Sequence, residues 1–182
     1  MFDFSELKEK SKDIEKWLSK EMSVIRTGRA TPAILDFVPV EAYGSKMAVK
    51  ELANIIVEDA KTVRIEPWDL SIGKSIEKAI NSSNLGLSVA PYEKGLRIIF
   101  PELTAERREQ FVKVVRQKFE EAKISLRTLR DKAWKMIEEK EKSGGMGEDD
   151  KFRLKEEMQK IIDEVNKKME ASAGKKELEI KA

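Results

Sequence analysis

No proline or glycine interrupts the chain between Pro101 and Ser143, and this long stretch limits the fold more than any other feature. Val112, Phe119, Leu126 and Ala133 form one heptad row; Val115, Ala122, Leu129 and Met136 form the other. Apolar residues at this spacing share one face of an α-helix. A helix of nearly 40 residues is roughly 55–60 Å long at ~1.5 Å per residue. It cannot bury its stripe alone, so it needs helical partners of similar length. Thr104 is a candidate N-cap, and Glu106 stands in the first turn, where the helix dipole favours an anion.

Two further segments supply those partners. Phe4, Leu7, Ile14, Leu18 and Ile25 repeat at helical spacing, with Ser11 filling one slot poorly, and predict a helix from about Ser5 to about Thr27. After the turn signal Ser143-Gly144-Gly145-Met146-Gly147, the acids Glu148, Asp149 and Asp150 suit a helix start. Leu154, Met158, Ile161, Ile162, Val165 and Met169, with Lys168 a weaker member, continue the third stripe, which fades near Gly174. The short connection makes the second and third helices antiparallel. Residues 1–30 and 104–182 therefore form a long antiparallel three-helix bundle.

Residues 31–103 follow a different pattern. Residues 37–43, 54–57, 62–65, 87–89 and 96–100 read as short strands, and 71–82 as a short helix with Ile72, Ile76 and Ile80 on one side. Pro39 places the first of these at an edge or a bulge. The fold class is thus α+β, with a small β/α/β domain inserted into the bundle. The chain crosses between the two parts near 29–32 and 101–105. These crossings form a hinge or a rigid corner, built from Gly28, Ala30, Thr31, Pro32, Pro101, Glu102, Leu103 and Thr104.

Composition removes whole classes of function. There is no Cys and no His. Disulfides, zinc sites of those ligands, and Ser-His or Cys-His nucleophiles are excluded. Gly73-Lys74-Ser75 resembles the end of a phosphate-binding loop, but Trp68 stands where that motif needs its first glycine. Glu148-Asp149-Asp150 lacks the spacing of a calcium loop. The expectation is a protein without catalytic residues, cofactor or metal. No apolar run reaches the ~18 residues of a membrane span, and no secretory h-region is visible, so a soluble cytoplasmic chain is expected.

Charge separates the two parts. Residues 31–103 hold eight bases and ten acids, leaving 28 bases and 24 acids in the helical remainder. A polyanion would face the helices. On the second helix Lys113, Arg116, Lys123, Arg127 and Arg130 fall within an arc of about 100° beside the apolar rows. Trp134 continues that side, able to stack on a base or a neighbouring arginine. One reading is a phosphate-binding face, to which arginine forks are suited. The other is a salt-bridged solvent face, since Glu120 and Asp131 are close in sequence. Arg29 adds to the positive end of the bundle, while Arg26 is open to a structural role.

The stretches IRTGRATP (25–32), Leu35-Asp36, VEAYG (40–44), LGL (85–87), FPELTAERRE (100–109) and EEAKISLRTLRDKA (120–133) run in order along nearly the whole chain. In these the sequence resembles the ribosome recycling factor family. It departs at Asp131-Lys132, where the family pattern leads one to expect a third basic residue after Arg130. The resemblance implies an L-shaped monomer with a flexible corner. It also implies a non-enzymatic factor that binds large-subunit rRNA after termination. With elongation factor G and GTP hydrolysis by that partner, it disassembles the ribosome and releases mRNA and tRNA. On this reading Arg127, Arg130, Lys123, Arg116, Lys113 and Arg29 contact rRNA.

Overall fold

The computed structural model describes residues 3–83 and 85–182. Thirteen segments alternate in the order α1 (Ser5–Val24), a 3-10 turn (Pro32–Phe37), β1 (Pro39–Ala42), β2 (Ser45–Ala48), α2 (Val49–Leu52), β3 (Ala53–Asp59), β4 (Thr62–Pro67), a second 3-10 turn (Leu70–Ile72), α3 (Gly73–Ser82), β5 (Ser88–Tyr92), β6 (Gly95–Ile99), α4 (Ala105–Lys142) and α5 (Glu148–Lys181). They fall into two compact units. One contains the chain up to Met22 with Val112–Ile180 and Ala182, and the other Ser23–Phe111 with Lys181.

α4 runs unbroken for 38 residues, about 57 Å at ~1.5 Å per residue, and from Val112 onward it belongs to the helical unit. Thr104 caps it: its Oγ1 accepts from the Arg107 N–H at 3.3 Å. Of the two rows, Val112, Val115, Ala122, Leu126 and Ala133 are buried and Phe119 and Leu129 half-buried, but Met136 is exposed: the stripe drifts round the helix at its end, and Ile137 takes the core position instead. Leu7, Leu18 and Met22 of α1 and Leu154, Met158, Ile162, Val165 and Met169 of α5 supply the opposing stripes. Lys118 ties α4 to Glu21 of α1 at 3.1 Å, and Lys151 of α5 ties to Glu141 of α4 at 2.6 Å.

Two helix expectations need correction, and the poor fit of Ser11 is seen directly. α1 ends at Val24 rather than Thr27, because the Arg26 side chain is engaged by backbone carbonyls far along the chain. Ser11 is fully buried, and its hydroxyl finds no hydrogen-bond partner among the described residues. The stripe of α5 does not fade at Gly174: the helix runs on to Lys181, with Ala173, Lys176 and Ile180 buried. Lys176 fills a core slot with its aliphatic stem, which a count of apolar residues does not register.

The other unit is built around α3, which packs on β1 on one side and on β5 and β6 on the other. β1 and β2 form a two-stranded antiparallel sheet; the second sheet has the order β3-β4-β6-β5, with every neighbour antiparallel. Val63 and Ile65 of β4, Leu96 and Ile98 of β6, and Ile76 and Ile80 of α3 meet in its core with Val40, Leu52 and Phe100. The alternation along β4 and β6 places these residues on the face towards α3. Residues 37–43 do not make one strand. Pro32 opens a 3-10 turn to Phe37, and pairing begins only at Pro39. Pro91 lies in β5, at the edge of its sheet, where a missing N–H is tolerated.

Candidate nucleic-acid interface

The five cations of α4 share one flank of that helix, beside its buried face, but they are engaged to different degrees. Arg116 donates from Nε and Nη2 to the two carboxylate oxygens of Glu177 on α5, at 2.9 and 3.1 Å. That hydrogen-bonded pair raises the Arg116 pKa above the ordinary arginine value. Arg130 donates to Asp131 at 2.6 and 3.0 Å. Lys123 contacts Glu120 at 3.2 Å, and its ammonium lies 5.5 Å from the Phe119 ring centroid. Lys113 and Arg127 are exposed and make no ion pair among the described residues. The salt-bridged reading therefore describes Arg116, Arg130 and Lys123, while Lys113 and Arg127 are left without an acid partner among the described residues.

Trp134, which continues this side of α4, is half-buried and has two lysines of α5 beside its ring. Lys151 and Lys155 of α5 sit over its ring at 5.7 and 5.3 Å from the centroid. These lysines add positive charge next to the α4 flank. Nothing in the α4 sequence announces them, because they come from a different helix and from the other side of a turn.

Arg29 belongs to the other unit. It is exposed, and its carbonyl accepts from Thr31 Oγ1 at 3.4 Å. Arg26, three residues earlier, is buried and plays a different part. Its Nη1 donates to Leu85 O at 2.7 Å and to Gly86 O at 3.0 Å, and its Nη2 donates to Pro101 O at 3.0 Å. The guanidinium lies 5.9 Å from the Phe100 ring centroid. Burial, and secondarily Arg107, lower its pKa from the ordinary arginine value. Gly86 has φ +61, and a Cβ there would stand 3.2 Å from Arg26 Nη1, so glycine lets the loop close on the side chain.

The remaining crossing residues are also held within this unit. Ala30 N–H donates to Ala60 O and Phe100 N–H to Lys61 O, both at 2.8 Å. The Lys61 ammonium pairs with Glu102. Gly28 takes φ +82, with Leu103 beside it.

A cationic flank on a long α4, an arginine clasp under LGL and Pro101, and two sheets around α3 are the features to compare with known proteins. The sequence matches the family model for ribosome recycling factor over residues 18–180. The chain belongs to the ribosome recycling factor family. It is 41% identical over 180 residues to the ribosome-recycling factor of Symbiobacterium thermophilum, covering 95% of this chain and 97% of that protein. It is likewise 41% identical over 165 residues to that of Thermotoga maritima, covering 91% and 89%. A solution structure of a ribosome recycling factor superposes with a TM-score of 0.77 at 33% identity, over 100% of this chain and 99% of the other. Models for the T. thermophilus ribosome recycling factor and the E. coli elongation factor G bound to the E. coli post-termination complex match with a TM-score of 0.70 at 36% identity, over 97% and 96%. As a ribosome recycling factor, the chain is a translation factor and not an enzyme. No helix among the described residues is long and apolar enough to cross a membrane.

Proposed function

We propose that this chain acts as a monomer in the cytoplasm on the post-termination ribosome. It docks on large-subunit rRNA through the α4 flank and, together with elongation factor G, splits the ribosome into subunits with release of mRNA and tRNA. GTP hydrolysis belongs to the partner. Lys113 and Arg127 make the first phosphate contacts, Arg130, Lys123 and Arg116 join them by exchanging carboxylate for phosphate, and Arg29 adds a contact from the sheet unit. Such contacts position a protein without reading sequence. Residues 1–30 and 104–182 form the docking part, 31–103 the part that meets the partner, and the crossings near 29–32 and 101–105 a hinge between them.

The observation that carries the docking surface is the pair of unengaged cations, Lys113 and Arg127, on one face of an unbroken helix in a chain of this family. Light scattering of post-termination ribosomes tests the function. Addition of the chain with elongation factor G and GTP should lower the scattering as subunits part, and neither protein should do so alone. Unchanged scattering with both present would refute the reading. A cross-link between the two crossings should leave docking intact and slow splitting; splitting at the full rate would remove the hinge.

A further inference from the structure

The sheet unit holds a cleft to which the recycling function gives no task. Its walls come from the end of α1, the loop at Leu85-Gly86, the crossing after Pro101 and the first turns of α4. All of these residues lie within Ser23–Phe111, so this unit alone builds the cleft. Its volume is about 300 Å³, the size of a small-ligand site. Two cations line it, and among the described residues neither has an acid partner. Arg26 is 7% exposed; carbonyls take its Nη donors, and its buried Nε–H has no acceptor among the described residues. Arg107 is exposed: its backbone N–H closes the α4 cap, while its guanidinium makes no hydrogen bond or ion pair among the described residues. The two are close enough that Arg107 helps to lower the Arg26 pKa. Glu102 is the acid of the rim, and its carboxylate pairs with Lys61.

Two like charges beside the N-terminal end of α4, where the helix dipole is positive, are relieved by a ligand that carries negative charge. An unengaged arginine fork suits the oxygens of a phosphate. A bare inorganic ion leaves much of the space unfilled, because Val24, Leu103 and Phe111 wall the cleft with apolar surface. Phe111 is half-buried, and its ring can stack on a flat heterocycle. A ligand with a phosphate at one end and an aromatic body at the other satisfies both halves. We propose that the cleft binds a small organic phosphate of the mononucleotide type, with Arg107 on the phosphate, Arg26 adding charge from within the wall and Phe111 against the base. The site shares no residue with Gly73-Lys74-Ser75 or with the cations proposed to contact rRNA. It stands whether or not the chain splits ribosomes.

The test is isothermal titration calorimetry on the full chain, with AMP, adenosine, inorganic phosphate and a short uridine oligonucleotide as probes. AMP should bind at one saturable site with a Kd below about 1 mM, and adenosine and phosphate should each bind at least about tenfold more weakly. Arg107→Gln should weaken AMP binding about tenfold and Phe111→Leu severalfold, through loss of the fork and of the stacking ring. Lys94→Gln removes an exposed cation outside the cleft and should change nothing. Arg107 is exposed, so its variant is expected to fold; Phe111→Leu keeps an apolar wall and gives an independent reading if it does not. Absence of saturable AMP binding up to about 10 mM overturns the proposal. So does a loss in Lys94→Gln equal to that in Arg107→Gln, which would mark general attraction to a basic chain. An oligonucleotide that binds more tightly than AMP and is weakened equally by Arg107→Gln also overturns it, since the cleft would then belong to an RNA surface.

Discussion

Replacing Arg26 by Met tests whether a buried guanidinium with no carboxylate partner among the described residues stabilises the sheet unit. Three carbonyls, those of Leu85, Gly86 and Pro101, accept from it at 2.7–3.0 Å. Hydrogen bonds to a charged group contribute about 1.5–3 kcal/mol each, and a buried carbonyl left without a donor costs about 1–3 kcal/mol. Two terms reduce the loss. Gly86 and Pro101 are exposed residues, so water can reach their carbonyls. Removing the charge also recovers the cost of burying it, several kcal/mol in a dry interior but less beside the cleft of about 300 Å³ that Arg26 lines with Arg107. Loss of the contact with the Phe100 ring adds about 0.5–1 kcal/mol. The net expectation is destabilisation by about 2–3 kcal/mol, on these hydrogen-bond and burial terms. Arg26→Lys keeps the charge and some of the bonds, so it should lose about half as much. Urea unfolding followed by circular dichroism measures both, with the two units fitted separately if their transitions part. A Met variant within about 0.5 kcal/mol of wild type, or a Lys variant less stable than Met, would show that desolvation of the charge outweighs its hydrogen bonds.

Ser11→Ala should leave stability unchanged or raise it by up to about 1 kcal/mol in thermal unfolding, because the variant removes a buried hydroxyl that has no partner among the described residues. Gly95→Ala should cost several kcal/mol and yield little soluble protein: φ is +151, and the new Cβ would stand 2.2 Å from Ile65 O. Arg127→Ala should weaken large-subunit binding and lower the salt slope by about 0.7–0.9, whereas Arg116→Ala, already paired with Glu177, should change that slope less; equal effects would contradict the difference in engagement. Burial lowers the pKa of Lys176, so the folded state gives up its proton before the unfolded chain does. Its penalty is complete below the folded pKa and is relieved as pH rises towards the ordinary lysine range. Lys176→Met should therefore stabilise the protein at neutral pH and abolish that alkaline gain in denaturation profiles.

The helical unit is legible in the sequence because its signals are local. Periodic stripes, the Thr104 cap and the glycines at 144–147 lie within a few residues of the structure they specify. The sheet unit is less so. Ser45-Lys46-Met47-Ala48 has no strand signature and becomes β2 only because a tight hairpin lays it against β1. The end of α1 depends on carbonyls 59 to 75 residues away. For the candidate site, the positions of the cations on α4 follow from helical spacing, but their engagement does not. Glu177 lies 61 residues from Arg116, and Lys155 reaches Trp134 across the turn. Pairings of that kind belong to the packing of helices and leave no local trace.

Those pairings make the stripe a graded surface rather than a uniform one. Exposed ion pairs contribute about 0–1 kcal/mol, so a phosphate can displace Asp131 from Arg130, or Glu120 from Lys123, at little cost. Glu177 is less exposed than Arg116 and holds it in a two-pronged contact, so freeing Arg116 costs more than breaking a one-pronged exposed pair. Lys113 and Arg127 need no exchange. Long-range attraction to RNA depends on net charge, and each paired acid subtracts from it, while short-range docking depends on which cations can change partners. In the proposed docking, the acids among these cations would restrain non-specific adhesion to RNA and leave strong contact to surfaces whose phosphates reach several α4 positions at once.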